Sequence, residues 1–83
     1  MDEREELKKE LEQELQWIIY RQRLLDIMEQ KLLQMKKLTE KAKYDNLIEK
    51  ELELINVKLN DLAMQVKALD SESRKSEDWK MIR

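Results

Sequence analysis

The apolar residues on either side of Asp45 lie at mirror-image distances from it. Ala42 answers Ile48, Leu38 answers Leu52, Met35 answers Ile55 and Leu32 answers Leu59; farther out, Met28 answers Leu62 and Leu25 answers Val66. Two antiparallel helices sharing one apolar seam produce this pattern when the chain folds back at the mirror point. The heptad phase breaks at the same place. The column through Leu11, Ile18, Leu25 and Leu32 extends to Asn46, whereas the later run Ile48, Leu52, Ile55, Leu59, Leu62, Val66 and Leu69 extends back to Asp45. Continuous coiled coils absorb insertions of three or four residues, not the loss of one. Asn46 followed by Glu49 also resembles a helix-capping pair. The expected fold is all-α: an antiparallel helical hairpin with a coiled-coil-like seam.

Composition agrees with helices and with little else. The chain has no Gly and no Pro, so the usual turn and strand-breaking chemistry is missing. Charged residues make up 43% and apolar ones 41%, and Glu, Lys, Leu, Gln and Met, all strong helix formers, dominate. The apolar residues are too many and too regular for a charged disordered chain. Eighty-three residues allow one domain. Within it we expect helix 1 over about 4–43, a turn at about 44–46, helix 2 over about 47–73 and a polar tail over 74–83.

Each helix carries more apolar surface than one neighbour can cover. In the first, Leu11, Ile18, Leu25, Met28, Leu32 and Met35 form the expected seam, while Trp17, Tyr20, Leu24 and Ile27 form a second stripe beside it. In the second, Leu54, Val57 and Met64, with Leu47 and Ala68, lie off the seam. A two-stranded coiled coil needs only a narrow stripe, so more than two helices are expected to meet. Trp17, Tyr20, Leu24, Ile27, Leu54, Val57 and Met64 are therefore the candidate interaction residues, and a four-helix bundle of associated hairpins is the expected assembly. After Leu69 the run 70–78 has no apolar residue, and Trp79, Met81 and Ile82 follow. Three arrangements are open there: a frayed end, a helix that brings Trp79 opposite Leu11, or a short docking motif.

Charge is distributed by segment. Residues 1–14 hold seven acids and three bases, a net −4; residues 31–44 hold five lysines and one acid, a net +4; residues 45–62 hold five acids and two lysines, a net −3. Folding back at Asp45 lays the +4 segment beside the −3 segment. A parallel in-register pair of straight helices would instead stack like on like. The lysines of 31–44 suit a helix C-terminus, where they complement the macrodipole. They lack the arginines and interleaved aromatics of a nucleic-acid surface, and the whole chain is at −2, so no nucleic-acid partner is expected.

Several activities are excluded by residue type. Without His or Cys there is no imidazole proton shuttle, no thiol nucleophile, no disulfide and no Glu-x-x-His metal motif. A phosphate-cradling loop needs glycine. We expect no catalysis, no cofactor, no metal and no small-molecule substrate. The longest apolar run, Trp17-Ile18-Ile19-Tyr20, is far too short to span a bilayer, and a cytoplasmic setting is expected. Two functions are left: a structural or adaptor protein whose hairpins associate with copies of themselves, or a binding module or chaperone that covers a helix of another protein.

Overall fold

The computed structural model describes residues 2–82, and side chains for residues 2–75. It consists of two helices, α1 (Glu3–Tyr44) and α2 (Glu49–Ile82), packed against each other. Their longest dimension together is 68 Å. A continuous helix through residues 3–82 would run to about 120 Å, so the chain doubles back. It is a hairpin.

The ends of α1 are set by local chemistry. Asp2 caps its start, its carboxylate accepting the Glu5 N–H at 2.9 Å, and Glu3, Glu5 and Glu6 face the positive end of the dipole. Lys41 and Lys43 occupy the last turn, where they complement the negative end, and the Asp45 N–H closes it by donating to the Lys41 carbonyl at 3.0 Å. The connector is Asp45–Ile48, centred later than the expected turn at 44–46. It reverses the chain without a left-handed residue: Asp45 is extended, and no described residue has positive φ. That is how a glycine-free chain makes this turn. The Leu47 N–H donates to the Asp45 carbonyl, and α2 then begins with Leu52 donating to the Ile48 carbonyl. Ile48 thus holds the cap position that the sequence pattern gave to Asn46. No glycine or proline interrupts the polar run after Leu69, and α2 continues through it to Ile82. The Trp79 side chain, with its expected position opposite Leu11, lies outside the described side chains.

The later turn slides the helices past the expected mirror pairing. Leu38, expected opposite Leu52, instead lines one hollow with Ile55 and another with Leu62. Along α1 the positions turned inward are Glu14, Trp17, Arg21, Leu24, Met28, Lys31, Met35, Leu38 and Ala42, alternately three and four apart. Along α2 they include Ile55, Leu59, Leu62, Val66, Leu69 and Ser73, with the same alternation. Among the described residues two apolar side chains, Leu24 and Ile55, are as little as 7% exposed. Ser73, the most deeply buried polar residue described, is satisfied by donating its hydroxyl to the Asp70 carbonyl at 2.7 Å.

Candidate helix-packing face

The inward columns of α1 differ from the expected seam by one residue. Met28 and Met35 are shared, but the other half of the seam is Trp17, Leu24, Lys31 and Leu38, not Leu11, Ile18, Leu25 and Leu32. On composition the outer column is the more apolar, because the inner one contains Lys31. Lys31 is accommodated by lying along the seam and donating its ammonium to the Gln65 side-chain carbonyl on α2. The richer column is left 45–58% exposed.

Helical geometry assigns these columns to sides of the hairpin. One flank of the α1 seam is the column Tyr20, Ile27, Gln34 and Lys41. Tyr20 donates to the Glu72 carboxylate at 3.3 Å, and Gln34, Lys37 and Lys41 line a groove with Lys58 and Asp61. This broad side of the hairpin carries polar groups from both helices around an open groove that Leu38 and Leu62 also line. The opposite flank of the α1 seam is Leu11, Ile18, Leu25 and Leu32. Beside it, on the same side of α2, lies the column Asn56, Ala63 and Asp70. Across this second broad side no described cross-helix hydrogen bond is formed by these flank columns, and the apolar stripe follows α1 for 22 residues from Leu11 to Leu32, about 30 Å.

The seven candidate interaction residues do not form one patch. Leu24 is buried against α2 and Trp17 is half-buried there, its ring 5.5 Å from that of Tyr20. Tyr20 and Ile27 stand exposed on the polar, hydrogen-bonded side. Leu54, Val57 and Met64 point outward from α2 at 60–71% exposure, with Val57 and Met64 on its back. The face that sequence reasoning placed inside the hairpin, Leu11, Ile18, Leu25 and Leu32, is the one left open.

The chain exposes far more surface than its mass requires. A compact monomer of 10.2 kDa has an accessible surface of about 5,300 Å². This chain leaves 7453 Å² accessible, an excess of roughly 2,100 Å². Among the described residues sixteen large apolar side chains are exposed, too many for a lone soluble hairpin to leave in water without consequence. The ion pairs of Arg74 with Asp70 and Lys75 with Glu72 lie within one helix on the surface and contribute at most about 0.5 kcal/mol each.

Among the described residues no cluster of metal-ligating side chains occurs, and no helix is long and apolar enough to cross a membrane. No family model matches the chain, and no characterised protein or solved structure matches it either. Function has to be argued from the exposed faces.

Proposed function

We propose that this chain is a non-enzymatic structural or adaptor protein that acts through helix–helix association, its hairpins pairing into a four-helix bundle. One observation carries the reading: the most apolar column of α1, Leu11, Ile18, Leu25 and Leu32, faces away from α2. A hairpin in which, among the described residues, two apolar side chains are as little as 7% exposed gains little to offset the ordering of some eighty residues at ~1–2 kcal/mol each. Covering that column supplies the missing burial. The excess surface of roughly 2,100 Å² per chain is of the size that obligate dimers remove. Sedimentation equilibrium is the test. The expected species at micromolar concentration has a multiple of the 10.2 kDa chain mass, with two chains the smallest assembly. A folded species at the mass of one chain would refute the reading.

A second reading, a module that binds a helix of another protein, is favoured by Leu54, Val57 and Met64. They lie on the outer side of α2, away from the apolar side of α1, and stay exposed when hairpins stack through it.

A further inference from the structure

We infer that the occupant of the exposed α1 stripe is the same stripe of a second copy, lying antiparallel to it. This rests on the association reading above and specifies its geometry.

The stripe is half of a seam. Leu11, Ile18, Leu25 and Leu32 alternate along α1 with the column Leu7, Glu14, Arg21, Met28 and Met35, three and four residues apart, so Leu25 and Leu32 lie along the aliphatic stems of Arg21 and Glu14 of the second copy. In an antiparallel pair the outer column of one helix meets the shared column of the other. Leu11 then packs beside Met35 of the second copy and Ile18 beside its Met28, with the two-fold axis near residue 23. Met28 and Met35 are only half-buried by α2, so each has surface left for such a contact.

Charge selects the orientation. This register lays residues 1–14 of one copy, at −4, along residues 32–45 of the other, where four lysines and two acids leave +2. A parallel in-register pair lays −4 on −4 and +4 on +4, which opposes association. Lys8 and Lys36 share one rim of the stripe, so on that rim Glu5 and Glu12, one column farther out, supply the complement to Lys36 and Lys43. Length points the same way. α1 has 42 residues and α2 has 34, so α1 outruns its own partner by eight residues, roughly 12 Å, at the open end of the hairpin. A second copy lying antiparallel places its basic segment alongside that projecting acidic end.

On α2 the corresponding side is Asn56, Ala63 and Asp70, small or polar. The α1–α1 contact is accordingly the apolar half of the bundle.

Single spin labels introduced through cysteine, which the sequence lacks, decide the geometry in the full chain. Lys8 and Gln22 are both exposed and tolerate a label. In the antiparallel pair two Lys8 positions are thirty residues apart along the shared axis, about 45 Å. Two Gln22 positions lie close to the two-fold, within roughly 20 Å including label arms. Long for Lys8 and short for Gln22 is the expected result. Short distances at both positions would mean a parallel pair and overturn the orientation while leaving association intact. A long distance at Gln22 would mean that a different face associates, and would overturn the assignment of the stripe. No coupling between chains at either position would overturn the association reading itself.

Discussion

Leu24→Glu is expected to abolish the hairpin, not merely its association. Leu24 is 7% exposed and sits between Arg21 and Met28 in the seam that faces α2. A carboxylate there loses its hydration, and the cost of an unpaired buried charge is several kcal/mol. A chain with so little buried apolar surface has no comparable reserve. The variant should show loss of most of the helical circular dichroism at about 10 µM, with no cooperative melt. A well-folded, cooperatively melting monomer would show that Leu24 belongs to an interface between chains, as its place in the second stripe suggests from sequence alone.

Leu25→Glu, one residue away, should behave differently because its side chain is turned to the opposite broad side. Leu25 is 45% exposed in the hairpin, so the hairpin itself tolerates the charge. In the bundle the same carboxylate replaces a leucine of the stripe near the two-fold, twice over by symmetry, where Arg21 of the second copy partly offsets its charge. The expected loss of association is about 1.4–2.8 kcal/mol, a tenfold to hundredfold rise in dissociation constant. Met64→Glu, on the back of α2 at 71% exposure, should leave both association and melting within about 0.5 kcal/mol of the parent. Sedimentation velocity across a dilution series checks both. If Met64→Glu dissociates the assembly and Leu25→Glu does not, the interface is on the back of α2.

The hairpin could be read from the sequence because its evidence is redundant. The mirror pattern, the phase break and the acidic–basic segmentation all point to a reversal near Asp45. The inward column of α2 was legible for the same reason: Ile55, Leu59, Leu62, Val66 and Leu69 form an unbroken apolar series, and all are buried or half-buried. The seam of α1 was not, and Lys31 is why. A hydrophobicity count prefers Leu11, Ile18, Leu25 and Leu32 to a column broken by a lysine. It cannot anticipate a long side chain that lies along the seam and hands its ammonium to Gln65. The precise reversal was also hidden. Asn46 carries the capping signal, but an extended connector from Asp45 to Ile48 moves the cap to Ile48, and the two helices slide with it. Ser73 was read as the edge of a polar tail. Its burial is tolerated because its hydroxyl is satisfied by its own helix, leaving a small side chain at a seam position.

Misassigning one column did not remove the main conclusion, since both assignments leave an apolar stripe without a partner in the chain. They differ in which stripe. With Trp17 and Leu24 inside, the open surface is a continuous face on one broad side of the hairpin, flat enough along α1 to receive another helix. With Leu11, Ile18, Leu25 and Leu32 inside, the open residues would have straddled a polar side. The observed arrangement is the better suited to bundle formation.

The central claim is that folding of the hairpin and association of its copies are one event, and the concentration dependence of thermal unfolding tests it most directly. For a dimer that unfolds to separate chains, a hundredfold rise in concentration contributes about 2.7 kcal/mol. Spread over the unfolding entropy of two such chains, that raises Tm by roughly 5–10 °C. Circular dichroism melts at about 5 and 500 µM should show this rise, with single cooperative transitions at both concentrations. A Tm that is the same at both would mean that the chain folds as an independent unit, and would contradict the account.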